Sequence, residues 1–367
     1  SWKGGVAQEV PDGMSDLAEA VGRSKRGLLV AGPRERSSDG AVEEAVLAFA
    51  RRSGWPVVAE PASGLSGDAV LFGAEAFLRA DCEELDPDLV VRIGRSPTAR
   101  SVSEYLAGLV EVPSWTVEPS GRLLDAERVG VRILSAEISA AFDSLPVGQT
   151  EEDWLTRWTE RSSKAYAAFE RVMRSSGKDL WAGPVVRAIE SHLGGSEDLH
   201  VASSMAIRDL GSFLDLRLGT TARVSANRGT NGIDGTLACA IGQARAGGRP
   251  TSVLMGDLAF LHDQASLGLV GDTSIRVIVV DNAGGAIFEY LPISSQQGLF
   301  EEHFLTPQTT DIPALCRAHG VPYESVESRE AFAQSLQKSG PLVIHLKVNR
   351  EFDFDMHQVY WHEVKTQ

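Results

Sequence analysis

Ser252-Val-Leu-Met-Gly-Asp257 is an apolar run that stops at Gly-Asp, and Ile275-Arg-Val-Ile-Val-Val-Asp-Asn-Ala-Gly-Gly285 is a second run that stops at Asp-Asn-Ala-Gly-Gly. Both have the length and Val/Ile/Leu content of strands buried on two faces, the pattern of a parallel sheet covered by helices. In such sheets ligands bind at the carboxyl ends of the strands. Two of these ends side by side would gather the Asp257 carboxylate, the Asn282 amide oxygen and a nearby backbone carbonyl. All three are hard oxygen donors and suit Mg²⁺, which shares its shell with phosphate oxygens. The glycines let backbone approach a diphosphate, and the helix starts that follow offer N–H groups to it. Taken singly, each ending reads as a strand-terminating turn. Paired on two buried strands, they point to a metal–phosphate site.

Outward from these strands the same alternation continues. In the second half, Leu199 to Ser203, Arg223 to Ala226 and Leu342 to Val348 are further strand candidates. Helical patterns over Gly235 to Arg245, Ile312 to His319 and Glu330 to Lys338 lie between them. The first half opens with Gly27-Leu-Leu-Val-Ala-Gly32. An amphipathic helix over Ala41 to Arg52 follows, with Val42, Val46 and Phe49 on one face. Strand candidates come next at Trp55 to Glu60, Asp88 to Gly94, Ser114 to Glu118 and Val129 to Leu134. The expectation is an α/β chain of two doubly wound parallel-sheet domains. Between them, Trp154, Leu155, Trp158, Ala165, Phe169 and Val172 recur at helical spacing. They predict a long helix that joins the blocks or belongs wholly to the second. The division is residues 1–150, a connecting helix over 151–180, and 181–367.

The 367 residues carry 50 acidic and 35 basic side chains, a net charge of −15. That field repels phosphate backbones and anionic lipid, so neither nucleic acid nor membrane is an expected partner, and an anionic ligand needs a local basic cluster. Cys82, Cys239 and Cys316 have no Cys-x-x-Cys spacing, which fits a reducing cytoplasm. No apolar run reaches the ~18 residues of a membrane span. The start, SWKGGVAQEV, lacks the apolar core of a signal peptide. There is no Gly-x-Ser-x-Gly elbow or Walker loop.

Gly256-Asp257 and Asn282, 25 residues further on, resemble the thiamine diphosphate fingerprint. GDLAFLHD (256–263), VVDNAGGAIFEYLP (279–292), SANRGTNGIDG (225–235) and ASSMAIRD (202–209) narrow the resemblance. They are similar to the menaquinone-pathway family of 2-succinyl-5-enolpyruvyl-6-hydroxy-3-cyclohexene-1-carboxylate (SEPHCHC) synthases. The likeness covers essentially the whole chain and is stronger in the second block. Two positions depart from the common pattern. Family members often read Asn-Asn-Asn-Gly-Gly where this chain has Asp281-Asn282-Ala283-Gly284-Gly285, and Leu258 stands where many thiamine enzymes have Gly.

The resemblance implies the following roles. Asp257 and Asn282 bind Mg²⁺ (or Mn²⁺) by side chain, and Gly284 by its carbonyl. Ala259 and Phe260 lie near the diphosphate of thiamine diphosphate and offer it backbone N–H groups, Ile233 supports the bent cofactor, and Ile287, Phe288 and Leu291 line the thiazolium wall. For the apolar residues, ordinary core is an equal reading. Ser204, Arg208 and Arg228 hold carboxylates of 2-oxoglutarate or of the second substrate, as guanidinium forks do. Arg100, after the turn at Gly94, is the nearest equivalent of a basic residue reaching the isochorismate site. Solvated surface charge is the ordinary reading of any arginine. His262 has no established proton-carrying role by this match, and His357 and His362 lie in a tail (FDFDMHQVYWHEV) that packs or orders on binding.

The implied reaction decarboxylates 2-oxoglutarate and adds the succinyl carbanion to isochorismate, with sites shared between subunits of a homodimer or dimer of dimers. No catalytic residue is expected on this chain. The family's activating glutamate belongs to a pyrimidine-binding domain that is absent here, so the expectation is a fragment inactive alone. Two other readings are another thiamine-dependent 2-oxo acid decarboxylase or carboligase, and a non-catalytic nucleotide-binding α/β module.

Overall fold

A computed structural model describes residues 12–35, 39–80, 82–121, 131–193, 197–219 and 222–366. The amino-terminal SWKGGVAQEV and the first two residues of the strand expected over 129–134 lie outside them. The chain divides into two compact units, 1–71 with 81–161 and 72–80 with 162–367.

Among the described residues the first unit holds five strands: β1 (Gly27–Ala31), β2 (Val57–Ala59), β3 (Leu89–Ile93), β4 (Ser114–Val117) and β5 (Val131–Leu134). Every pairing is parallel, in the order β2-β1-β3-β4-β5. The apolar runs that predict β1 and β3 are buried along their whole length. Helix Ala41–Ser53 buries Val46 and Phe49 as expected, and the Phe49 ring meets Trp55 at 5.3 Å and Phe142 at 5.5 Å. Gly27 has no room for a side chain, since a Cβ there would sit 1.9 Å from the Trp55 ring. Its carbonyl accepts the Trp154 indole N–H at 2.8 Å.

The second unit holds β6 (Asp198–Val201), β7 (Arg223–Ala226), β8 (Thr251–Gly256), β9 (Ile275–Asp281), β10 (Tyr323–Val326) and β11 (Leu342–Lys347). They form one parallel sheet in the order β10-β11-β9-β8-β6-β7. Val253, Met255, Val277 and Val279 pack with Leu237, Ile241 and Phe260 in its core. The chain runs outward from β6 to β7, then crosses to β8 on the other side of β6. The carboxyl ends of β6 and β8 therefore diverge at a topological switch point.

The structure refines the reading of the sequence at four places. Residues 72–80 belong to the second unit rather than the first block: buried Glu75 accepts the Ser212 hydroxyl at 2.8 Å and the Trp361 indole N–H at 3.1 Å. The helix expected over 151–180 spans Trp154–Ser175, and the units divide within it, at 161/162. Strand β10 was not anticipated, because its Tyr-Glu-Ser-Val sequence is only partly buried at the sheet edge. The carboxyl-terminal tail is a regular helix, Arg350–Lys365, capped by the Asn349 side chain. It buries Tyr360 completely, 5.5 Å from Phe213, in a ring cluster that includes Phe169 and Trp181. Burying one such ring contributes roughly 1.5–3 kcal/mol, which explains why the segment is fixed despite its polar composition.

Among the described residues no helix is long and apolar enough to cross a membrane.

Candidate functional site

The carboxyl ends of β6, β7, β8 and β9 open onto one cavity of about 420 Å³ in the second unit. It is lined by Ser204, Arg208, Arg228, Ile233, Asp257, Ala259, Asn282, Gly284, Ile287 and Phe288, ten of the thirteen residues singled out from sequence.

The register between β8 and β9 sets one end of this cavity. Gly256 pairs with Val280, so Asp257 and the Asp281–Asn282 turn leave the sheet side by side. Asp257 is buried, and the backbone N–H groups of Leu258 and Gly284 approach its carboxyl closely enough to favour its charged form. Burial, and then the charge of Asp281, push its pKa up to about 7. Asp281 goes the other way: its Oδ2 lies 2.7 Å from His345 Nε2, and this hydrogen bond, helped by Ala283 N–H at 3.0 Å, holds its pKa below the ordinary value. Beside them, the buried Asn282 Oδ1 has no hydrogen-bond partner. A buried amide oxygen left unpaired costs about 1–3 kcal/mol. A bound cation would satisfy that oxygen and relieve the crowding of two carboxylates.

The loop after Asn282 is built for close approach. Ala283 is left-handed at φ 62°, and Gly284 has φ 131°. A Cβ on Gly284 would lie 2.1 Å from the Leu305 carbonyl oxygen, which accepts the Gly285 N–H at 2.7 Å. Among the described residues no cluster of three or more His, Cys, Asp or Glu has metal-binding geometry. A cation here would draw on one carboxylate, one amide oxygen, a backbone carbonyl and the oxygens of its ligand, a donor set that fits Mg²⁺ better than zinc.

Arg208 sits on the helix Met205–Phe213 that follows β6, and its Nη1 donates to the Ser204 carbonyl at 2.8 Å. Ser204 itself has φ 69°, a costly backbone for a non-glycine residue of the kind that clusters at functional sites. With Arg228 from the far side of β7, Arg208 gives the wall the basic character that an acidic chain needs to hold an anion. Ile287 and Phe288 supply an apolar face, and Phe288 is braced edge-on by Phe304 at 5.4 Å.

Three expected residues fall elsewhere. Phe260 does not line the cavity: its side chain is fully buried in the core, which is compatible with the backbone role expected of it. Leu291 is 37% exposed and does not line the cavity. Arg100 belongs to the first unit, where its exposed side chain pairs with Glu104 at 2.7 Å. Conversely, sequence reasoning missed Asp209 and Asp353, which both line the cavity, and His357 behind them. The signal present was Asp353 and His357 four residues apart, one helical turn, in the segment read as a tail.

Comparison with known families decides the relationship. Residues 12–201 match the family described as the middle domain of thiamine pyrophosphate, and residues 213–346 match the thiamine pyrophosphate enzyme carboxyl-terminal TPP-binding domain. The chain belongs to the thiamine pyrophosphate enzymes. Asp257, Asn282 and Gly284 all fall in the TPP-binding match, whereas Ser204, Arg208 and Asp209 lie between the two matches and Asp353 and His357 beyond them. Curated relatives named 2-succinyl-5-enolpyruvyl-6-hydroxy-3-cyclohexene-1-carboxylate synthase are similar over most of this thiamine pyrophosphate enzyme. The protein of Oceanobacillus iheyensis is 31% identical over 98% of this chain and 64% of its own length. That of Synechococcus sp. (strain JA-3-3Ab) is 32% identical over 93% and 59%, and that of Rubrobacter xylanophilus 31% over 96% and 63%. The chain thus spans about three-fifths of the relatives it matches.

Proposed function

We propose that this chain is the cofactor-anchoring part of a thiamine diphosphate-dependent SEPHCHC synthase, a transferase that decarboxylates 2-oxoglutarate, releases CO₂ and adds the succinyl unit to isochorismate. The observation that carries the reading is the orphaned Asn282 Oδ1 beside the buried Asp257, at one end of a cavity walled by Arg208 and Arg228. That pairing of a hard-oxygen corner with a guanidinium wall suits a metal-bound diphosphate next to a dicarboxylate. The names carried by the relatives support the pathway step.

In this reading Asp257, Asn282 and the Gly284 carbonyl hold Mg²⁺ (or Mn²⁺), and Ala259 and the Phe260 backbone face the diphosphate. Ile233 supports the bend of the cofactor, and Ile287 and Phe288 keep water from its reactive ring. When bound, the cofactor supplies the electron sink for decarboxylation. Arg208, Arg228 and Ser204 hold and orient substrate carboxylates. The intact enzyme is a cytoplasmic homodimer or dimer of dimers.

The test is calorimetric titration of thiamine diphosphate with and without Mg²⁺. Binding that requires the ion, and that is lost in Asp257→Asn, is the expected result. Absence of ion-dependent binding overturns the reading.

A further inference from the structure

The wall opposite the metal corner contains a contradiction. A cavity lined by arginines to receive an anion also exposes two acids, Asp209 and Asp353. Asp209 is the sequence neighbour of Arg208 and close enough for that cation to pull its pKa down. An unengaged carboxylate there would compete with a substrate carboxylate for the same guanidinium.

His357, 1% exposed, resolves the conflict. Its Nδ1 lies 2.8 Å from the backbone carbonyl of Asp353, and its Nε2 lies 3.1 Å from Oδ1 of Asp209. A carbonyl oxygen only accepts, so Nδ1 carries a proton, and an ionised Asp209 accepts a hydrogen bond from a second proton held on Nε2. The ring sits as an imidazolium between the two acids. Burial alone would lower its pKa, but the carboxylates of Asp353 and Asp209 outweigh this and raise it to about 9. Asp209, raised by burial against the pull of His357, stands at about 6. At neutral pH both are therefore charged. Asp353 is engaged as well, since its Oδ1 accepts the Ala182 N–H at 2.7 Å. The remaining neighbours of the imidazole are rings: Phe213 at 5.2 Å, Tyr290 at 5.7 Å, Trp361 at 5.8 Å and Trp181 at 6.1 Å. Among them only Tyr290 is titratable, and burial raises its pKa further above neutrality.

We propose that His357 is a positioning residue: it holds Asp209 to the carboxyl-terminal helix and so keeps it from competing with a substrate carboxylate for the Arg208 guanidinium. The idea rests on the assignment of Arg208 to an anionic substrate. It adds a role for three residues that lie outside both family matches.

The experiment is a double-mutant cycle on the whole chain loaded with Mg²⁺ and thiamine diphosphate, with glutarate as an unreactive dicarboxylate probe. His357→Gln should weaken glutarate binding about tenfold while leaving cofactor binding unchanged. In the Asp209→Asn background the same substitution should change glutarate affinity less than about twofold, because the competing charge is gone. Equal losses in both backgrounds indicate a structural role and overturn the proposal, as does an unchanged affinity in His357→Gln or no glutarate binding by the parent chain. Should His357→Gln not fold, Asp209→Asn decides: affinity at or above the parent's supports the proposal, and a tenfold loss overturns it. Nitrogen-15 NMR of the histidine rings gives a second readout, with both His357 nitrogens protonated at pH 8 if the proposal holds and one bare nitrogen if it fails. Failure of Mg²⁺-dependent cofactor binding in the parent is a separate outcome that sinks the enzymatic reading itself.

Discussion

Gly256 pairs with Val280 across β8 and β9, so Asp257 and Asn282 leave two neighbouring strand ends side by side. This register sets the Asp257 carboxyl beside the Asn282 turn, the two side chains proposed to hold the cation. Because the same carboxyl is buried and crowded by Asp281, it is a costly group to keep without a cation beside it. Asp257→Asn should therefore abolish Mg²⁺-dependent cofactor binding by at least about a hundredfold. It should not lower the thermal midpoint of the ligand-free chain. Calorimetry and thermal melts on one preparation check both, and a large drop in midpoint would mean that the residue is structural.

Asn282→Ala should separate the two roles of that turn. Losing an oxygen with no protein partner costs little folding free energy, so stability changes by less than about 1 kcal/mol. Metal-dependent binding of thiamine diphosphate should nonetheless fall by about ten- to a hundredfold. Titration of Mg²⁺ at fixed cofactor reads the effect.

The loop backbone makes its own prediction. Ala283 pays about 1 kcal/mol for its left-handed conformation. Ala283→Gly should recover about that much in a denaturant melt. Gly284→Ala should do the opposite, since its methyl group would collide with the Leu305 carbonyl. A loss on the order of 2–3 kcal/mol, or a rearranged loop that no longer binds cofactor, is expected.

Arg208→Lys and Arg228→Lys keep charge but lose the two-point fork. In the intact enzyme each should raise KM for 2-oxoglutarate by roughly ten- to a hundredfold, the range of a charge-assisted hydrogen bond. Cofactor affinity should stay within about threefold. If cofactor binding falls equally, the arginines face the diphosphate instead.

The buried pair His357 and Asp209 predicts a pH dependence. Both have folded pKa values above their unfolded ones, so the folded chain retains protons that the unfolded chain releases. For His357 the contribution is fully present below about 6.5 and is lost as pH rises through about 9. For Asp209 the loss comes earlier, between about 4 and about 6. Stability should therefore decline between pH 7 and pH 9.5, and His357→Gln should flatten that decline. A wild-type profile that is flat over this interval contradicts an imidazolium at 357.

Much of this protein was readable because parallel strands advertise themselves. Gly27–Ala31, Leu89–Ile93 and Ile275–Asp281 are continuous apolar runs, and nothing but a doubly covered sheet accommodates several of them in alternation with helices. β10 escaped because an edge strand is half solvated and loses that signature. Leu291 illustrates another limit. A motif gives the order of residues along the chain, while the direction of a side chain depends on what packs against it.

From sequence alone came the two-sheet α/β architecture, the kinship with thiamine enzymes and the meeting of Asp257 and Asn282 at two neighbouring strand ends. Each rests on local information: the period of apolar residues, the glycines that permit a turn, the spacing of two strand ends. The tertiary structure decided what no local pattern carries. It joined residues 72–80 to the second unit through Glu75, made the polar tail a packed helix, and set His357 148 residues along the chain from the Asp209 it faces. The physical reason is that burial and charge pairing depend on which distant segments meet, and that is fixed only once the sheet has formed and the helices have docked upon it.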